Sequence, residues 1–331
     1  MRKIAKPGHR GRRFLLLCAT SILIITTQSY TAGTAVAAAQ KTEAQSTKIP
    51  NTPPLDGGLP LAWHDFSGDS WSDLVAHQAA TGNIYIYPFS GSFNGTATLG
   101  APVLVVAGAT DVNWMGVGEV TGDFNPDLIV RKTDGTLWVY PGTGKLAVTG
   151  TFDPPIEIGT GWNSLSTLIV GDIAGNGYDG LAGRQSNGNL VVYPHTGDFD
   201  QFNTLAPPEL IGTGWNIMRW IGAADIASDS ETGFPDIVAV DNSGNLDIYP
   251  YSGAYSGTTT YTGPIQTGTG WNIIKLLTLM DVTHDNLVDI VGTNSSGQLL
   301  VYRYAGGFNG TSTFTGPTVI GTGWDTMDLI A

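Results

Sequence analysis

Cysteine, charge and catalytic motifs are all scarce in this sequence. The one cysteine, Cys18, lies near the start of the chain, so the rest must be held together by burial or by metal rather than by disulfides. Charged residues make up only 13% of the chain while glycine numbers 45, and this balance favours strands and tight turns over helices. The apolar run over residues 14–25 is too short to span a bilayer.

Residues suited to catalysis are sparse as well. The sequence has no Gly-x-Ser-x-Gly elbow, and the histidines that follow the first 39 residues are scattered without metal-ligand spacing. They are His64, His77, His195 and His284. The sequence therefore predicts a non-catalytic protein. It leaves one catalytic alternative open, a polysaccharide-cleaving enzyme whose acid and nucleophile come from different parts of the fold.

Residues 1–39 have the layout of a secretory signal peptide. Basic residues precede the apolar run, and Ala-x-Ala cleavage sites follow at residues 35–37 and 37–39. General secretion is favoured over twin-arginine export, because no residue separates the Arg12-Arg13 pair from Phe14. Cleavage removes Cys18 and six of the 15 Lys and Arg, which leaves nine against 28 acidic residues and a net charge of −19. Nucleic acid and anionic membrane surfaces are disfavoured as partners, and cations are favoured.

A repeated acidic loop follows the signal and a polar, Pro-rich, flexible leader over residues 40–58. The loop carries oxygen-bearing side chains at positions one, three, five and nine, as in DVTHDNLVDIV from residue 281. Its copies start at residues 65, 119, 172, 225 and 281, at spacings of 54, 53, 53 and 56, and Tyr-Pro pairs such as Tyr87-Pro88 keep the same step. A repeat of this length is typical of a propeller blade.

Four strands can be assigned to each repeat. In the second repeat they are predicted over residues 116–120, 127–131, 136–140 and 155–158, with a Gly-containing turn between the middle two. The end of the chain stops almost where the first strand would begin, as expected of a closed ring. The sequence thus predicts an all-β fold, a five-bladed β-propeller of four-stranded antiparallel blades over residues 59–331. The units are expected at about 61–116, 117–166, 167–219, 220–275 and 276–331.

The acidic loops are candidate Ca²⁺ sites. Ca²⁺ prefers six to eight oxygen ligands, and alternating acidic side chains in a tight loop supply them. The candidate ligands are Asp65, Ser67, Asp69, Asp73, Glu119, Thr121, Asp123, Asp127, Asp225, Asp229, Asp236, Asp281, Thr283, Asp285 and Asp289. The third loop is expected to hold no tight site, since Ala174 and Gly180 stand where oxygens are needed. The alternative interpretation is a polar turn in which the aspartates cap backbone amides.

These motifs carry a family resemblance. DVTHDNLVDIV, DFSGDSWSDLV and EVTGDFNPDLI resemble the FG-GAP or VCBS repeats of integrin α-chain propellers and of many secreted bacterial proteins. The Gly-Thr-Gly-Trp and Tyr-Pro markers resemble the actinobacterial version. The resemblance covers about residues 61–331 and implies a β-propeller in which each loop joins the first and second strands of a blade and binds Ca²⁺.

Four phased tryptophans are the candidate ligand contacts. They are Trp162, Trp215, Trp271 and Trp324. In the first joint Ala109 stands at the corresponding place, and Trp114 is not equivalent. An exposed tryptophan beside polar backbone can support a sugar ring; the competing interpretation is that each packs between blades. The sequence favours a calcium-binding, lectin-like module for glycans or cell-surface polymers, with a protein-interaction or adhesion propeller as the alternative.

Overall fold

The computed structural model describes residues 47–48, 64–227 and 234–331, all within one compact unit, Ala44–Ala331. The expected signal peptide, most of the expected leader and Asp229 lie outside the described residues. In the part that is described, regular structure consists of strands and short 3-10 helices, and no helix is long and apolar enough to cross a membrane.

The strands and 3-10 helices succeed one another in a repeating order. The strands are β1 (Thr47–Lys48), β2 (Leu74–Gln78), β3 (Asn83–Tyr87), β4 (Val103–Val106), β5 (Val112–Gly118), β6 (Asp127–Lys132), β7 (Leu137–Tyr140), β8 (Ile156–Gly159), β9 (Leu165–Gly171), β10 (Gly180–Gln185), β11 (Leu190–Tyr193), β12 (Asp198–Phe199), β13 (Glu209–Gly212), β14 (Met218–Ala224), β15 (Asp236–Asp241), β16 (Leu246–Tyr249), β17 (Ile265–Gly268), β18 (Ile274–Met280), β19 (Asp289–Asn294), β20 (Gln298–Tyr304), β21 (Phe314–Thr322) and β22 (Met327–Ile330). The 3-10 helices are Gly95–Ala97, Trp162–Ser164, Gln201–Asn203, Trp215–Ile217, Gly257–Thr259, Trp271–Ile273, Gly310–Ser312 and Trp324–Thr326.

Five antiparallel four-stranded sheets form the blades, and this confirms the predicted five-bladed β-propeller. From the inside outwards, blade 1 is β22-β2-β3-β4, blade 2 is β5-β6-β7-β8, blade 3 is β9-β10-β11-β13, blade 4 is β14-β15-β16-β17 and blade 5 is β18-β19-β20-β21. The innermost strands contact one another in the closed cycle β5, β9, β14, β18, β22 and back to β5. β1 pairs separately with β12.

The ring is closed by the end of the chain. β22 supplies the innermost strand of blade 1 and pairs antiparallel with β2, with Ala76 opposite Ile330. Val75 and Ala331 exchange backbone hydrogen bonds of 2.9 and 3.0 Å. Because both ends of the described propeller share one sheet, neither blade 1 nor the ring is complete without the last strand.

The core lies between the blades. In one cluster Phe66 and Val75 of blade 1 pack against Met115 and Leu128 of blade 2, and four further clusters join the successive neighbours. Burying a side chain of this size stabilises the fold by about 1.5–3 kcal/mol. β5 begins at Val112, earlier than the predicted residue 116. The prediction began too late because Asn113 and Trp114 interrupt the apolar pattern of this innermost strand.

Candidate functional site: acidic loops and an inter-blade groove

The acid at position nine of a loop ties the blade together. Asp73, Asp127, Asp236 and Asp289 are at most 2% exposed. Asp289 Oδ2 accepts the amides of Val282 and Thr283 at 3.2 and 3.1 Å, and its Oδ1 accepts the amide of Tyr304 at 2.9 Å. Asp127 and Asp236 accept the three corresponding amides of their own blades, and Asp73 accepts two, those of Ser67 and Phe89. These four side chains, hereafter the staple aspartates, join the start of each loop to the chain that leaves the third strand.

Burial dominates the protonation of three of the staple aspartates, Asp73, Asp127 and Asp289. Loss of solvent raises the pKa of Asp73 and of Asp127 to about 7 and that of Asp289 to about 6, although the backbone hydrogen bonds oppose the shift. The other acids of each loop raise these pKa values further; Asp69 and Asp65 do so for Asp73. The carboxylates of a loop therefore lie close enough to repel one another.

The acid at position one shapes the turn. Asp65 Oδ1 accepts the amides of Gly68 and Asp69 at 2.7 and 3.1 Å, and its Oδ2 accepts the amide of Ser70 at 2.7 Å. Glu119, Asp172 and Asp281 accept loop amides in the same way. Asp225 is exposed.

The side chains at positions three and five also form hydrogen bonds within the loop. The hydroxyls of Ser67 and Thr121 donate to the position-one acids at 3.2 and 3.4 Å. At position five, the carboxylates accept the amide two residues ahead at 2.9–3.1 Å; these residues are Asp69, Asp123 and Asp285. Asp285 also lies 3.7 Å from the guanidinium of Arg303. Capping of backbone amides thus accounts for most of the acidic pattern.

The loops match Ca²⁺ in donor chemistry more than in arrangement. Their hydroxyl, carboxylate and carbonyl oxygens are the ligands that Ca²⁺ prefers, and mutual repulsion of the carboxylates would be relieved by a cation. Across residues 64–227 and 234–331, however, no group of three or more His, Cys, Asp or Glu side chains is placed so that it could hold a metal ion. The carboxylates accept hydrogen bonds from backbone amides instead.

The third loop departs from the others. Gly180 stands at the staple position, and Asp179 points to blade 2, where its Oδ2 accepts the amide of Glu119 at 2.9 Å. Asp179 is 3% exposed, its Oδ1 has no hydrogen-bond partner, and burial raises its pKa well above the usual range. His195 Nε2 lies 3.0 Å from the carbonyl oxygen of Val120 in the same joint.

The side chain at position two of the loop makes a contact between blades that was not predicted from the sequence. Its side chain is apolar in every repeat, at most 2% exposed, and packed against the following blade. These residues are Phe66, Val120, Ile173, Ile226 and Val282. In one joint the hydroxyl of Tyr304 also donates to the carbonyl oxygen of Ile226 at 2.9 Å. The sequence feature that could have predicted this contact is the apolar residue that follows the first acid of every loop.

The four phased tryptophans pack between blades. Each opens a 3-10 helix, is 6–7% exposed and contacts a tyrosine of the next blade in the ring, with ring centroids 4.4–4.7 Å apart. The pairs are Trp162 with Tyr193, Trp215 with Tyr249, Trp271 with Tyr302 and Trp324 with Tyr87. A Cβ at Gly159 would lie 2.2 Å from Trp162 Nε1, so the preceding glycine is needed for this packing. Only an edge of each indole is left for a ligand.

A groove between blades 2 and 3 contains one of these edges. It is a cavity of about 610 Å³ whose apolar wall includes Trp162, Tyr193 and Phe202. Phe202 is 56% exposed. Polar side chains line the same groove: Thr160, Ser164, Thr196 and Asn203. An aromatic surface beside hydroxyl and amide groups is suited to a ligand with both apolar and polar faces.

Comparisons with known proteins give structural neighbours only. No family model and no curated protein matches the chain. The BP39L lectin from Burkholderia pseudomallei is 14% identical, covers 76% of this chain and 70% of its own, and gives a TM-score of 0.40. A Tc holotoxin pore from Photorhabdus luminescens is 12% identical over 83% of this chain and 12% of that chain, with a TM-score of 0.39. Human WBSCR16 is 11% identical over 76% of this chain and 66% of that chain, with a TM-score of 0.30. At such scores these similarities carry no functional argument.

Proposed function

We propose that this chain is an exported, non-catalytic binding module that recognises glycans or cell-surface polymers through the groove between blades 2 and 3. The observation that carries the proposal is the exposed ring of Phe202 in a cavity that also holds hydroxyl and amide side chains. A sugar presents an apolar ring face and a polar edge, and both find partners in such a groove.

The position of Phe202 supports a role particular to this joint. It is the central residue of the 3-10 helix Gln201–Asn203, and Thr258 is the central residue of the matching helix Gly257–Thr259 in blade 4. Both helices pack against the fourth strand of the preceding blade, β8 and β13 respectively. The helices Gly95–Ala97 and Gly310–Ser312 pack in the same way and also have threonine at the centre, so a large exposed aromatic at one of four similar places is not required by the fold.

Membership of the FG-GAP or VCBS repeat family and loop-bound Ca²⁺ belong to the same proposal. The phased acidic loops and the mutual raising of their carboxylate pKa values support a cation there. The ligands proposed are those of the loops at Asp65 and Asp281, with weaker sites at Glu119 and Asp225. Calcium would stiffen the loops, while ligand binding takes place in the groove.

A glycan array, run with and without EDTA, tests the proposal. Phe202→Ala should abolish binding to the glycans that the unaltered protein binds, whereas Thr258→Ala should leave glycan binding unchanged. Silence on every glycan in both conditions would refute glycan recognition and favour the adhesion alternative. Release of reducing ends from a bound polysaccharide would show an enzyme instead.

A further inference from the structure

The central channel is a second cavity, separate from the inter-blade groove. It encloses about 300 Å³ and is lined by the innermost strands of all five blades, β5, β9, β14, β18 and β22. This is the lower end of the volume range of small-molecule sites, about 300–1,000 Å³. The channel therefore has room for a small ligand.

Two tryptophans form flat parts of the channel wall. Trp114 and Trp220 are half-buried members of β5 and β14. Gly116 and Gly222 lie beneath them: a Cβ would stand 2.8 Å from Trp114 Cη2 and 2.6 Å from Trp220 Cη2. The absence of a side chain at these glycines lets each indole lie along its own strand. Trp114 thus lines the channel and also packs against the core between blades 2 and 3.

The charge of the channel is opposite to that of the protein. Its lining includes Arg131, Arg219 and Lys275, and no Asp or Glu is present among its described lining residues. The whole chain, by contrast, has 28 acidic and 15 basic residues. Cations grouped around a cavity with apolar walls attract an anion more strongly than they would on an open surface.

Backbone carbonyls, not carboxylates, hold the two arginines. Arg131 donates to the carbonyl oxygen of Leu165 at 2.7 Å. Arg219 donates to those of Trp271 and Ile274 at 3.0 and 2.7 Å. Lys275 is exposed, and in the described part of the chain none of the three forms a salt bridge. Their positive charge is therefore not cancelled by a fixed partner.

The acid among the innermost strands is engaged elsewhere. Asp328 of β22 lies 2.6 Å from His77 Nδ1, which is buried in blade 1. His77 Nε2 in turn lies 3.2 Å from the carbonyl oxygen of Ala109. Asp328 is thus already hydrogen-bonded to a side chain of blade 1.

We propose that the channel binds a small anion with a flat apolar body, such as an aromatic carboxylate or sulfonate. The anionic group lies at Arg219 and Lys275, which are neighbours of Trp220 and Leu276 on two adjacent innermost strands. The apolar body lies against the indoles of Trp220 and Trp114. This site does not depend on glycan binding in the groove.

Naphthalene-2-sulfonate is the probe, and uncharged 2-naphthol at neutral pH is its matched control. Calorimetry and tryptophan fluorescence should show one sulfonate bound per chain, with quenching, and weaker binding at high salt. Lys275→Glu should weaken sulfonate binding by about tenfold or more, since a repulsive charge replaces an attractive one. Lys145→Glu, an equal charge change at an exposed site outside the channel lining, should leave it unchanged.

Three outcomes would overturn the proposal. They are no sulfonate binding, equally tight binding of 2-naphthol, and equal weakening by Lys145→Glu. Because Lys275 is exposed, its replacement is not expected to unfold the protein, and circular dichroism checks this. Glycan binding should survive Lys275→Glu, and sulfonate binding should survive Phe202→Ala, so the two proposals fail separately.

Discussion

The fifth and third acidic loops place the same carboxylate in opposite directions. In the fifth, Asp289 is the first residue of β19, and its two oxygens accept three backbone amides of its own blade. In the third, β10 begins with Gly180, and the carboxylate belongs to Asp179, one residue earlier. Asp179 accepts an amide of blade 2 and leaves one oxygen without a partner.

The difference follows from the geometry of extended chain. Successive side chains of a strand point to opposite sides, so a shift of one residue moves a carboxylate from the interior of its blade to the neighbouring blade. A staple within one blade thereby becomes a contact between two. Blade 3 keeps the acidic loop at the same place in the repeat, but its buried acid bonds to the neighbouring blade instead of its own.

The largest effect is expected from removing a staple. Asp289→Ala would leave the amides of Val282, Thr283 and Tyr304 buried without acceptors, and the free energy of unfolding should fall by about 3 kcal/mol or more. Urea unfolding measures it. Asp285→Ala, in the same loop but exposed, should cost much less. Equal costs for the two variants would contradict the staple role.

The next effect concerns an attempt to restore the staple in blade 3. Gly180→Asp would place a Cβ 2.7 Å from the Tyr193 carbonyl oxygen and 3.2 Å from the His195 amide nitrogen. Because backbone cannot yield easily, we expect a loss of about 1–3 kcal/mol in urea unfolding. Gly263→Asp, where nothing lies within 4 Å, is the matched control. A stabilising Gly180→Asp would show that the two loops are interchangeable.

Calcium is expected to stabilise the fifth loop and not the third, with a smaller effect on stability than the two substitutions above. If Ca²⁺ binds the fifth loop and not the third, it should raise the melting temperature relative to EDTA by a few degrees, roughly 2–4 °C per kcal/mol of binding free energy. Asp285→Ala should reduce this increase. Asn176→Ala, at position five of the third loop, should preserve it. Identical melting curves in Ca²⁺ and EDTA would show that the loops are only turns.

The smallest effect is the pH dependence at Asp179. Burial raises the pKa of this carboxyl in the folded state, so the folded protein keeps a proton that the unfolded chain has already lost. Its contribution to stability is complete below the unfolded pKa and disappears as pH rises through the folded pKa. In EDTA, Asp179→Asn should therefore lose less stability than the unaltered protein between acidic and alkaline pH. Parallel pH profiles of unfolding would contradict this assignment.

Much of the fold could be predicted because the acidic loops recur in the sequence at a nearly constant spacing. The period of the acidic loops predicted five units, and β22 closes their ring by pairing with β2. The loops at Asp65 and Asp281 could be found by their spacing. Their backbone contacts could not, because the amides at Phe89 and Tyr304 lie 16 and 15 residues further along the chain.

Contacts between blades were the least predictable part. Nothing local to Arg219 indicates that it donates to carbonyls of blade 5, and nothing near Phe202 indicates a groove with Trp162. The apolar residue at position two of each loop was visible in the sequence, but its burial depends on the next blade. The inward direction of Trp114 likewise required the positions of its neighbours.

Sequence alone determined how often the module recurs, which residue types stand at each loop position, and that disulfides cannot hold the rest of the chain. Those properties are local, since a period and a side-chain type are properties of neighbouring residues. Tertiary structure decided which way each carboxylate points, which aromatic rings stay exposed and where cations meet around the channel. These depend on distances between blades, and the closed ring sets those distances only when all five sheets pack together.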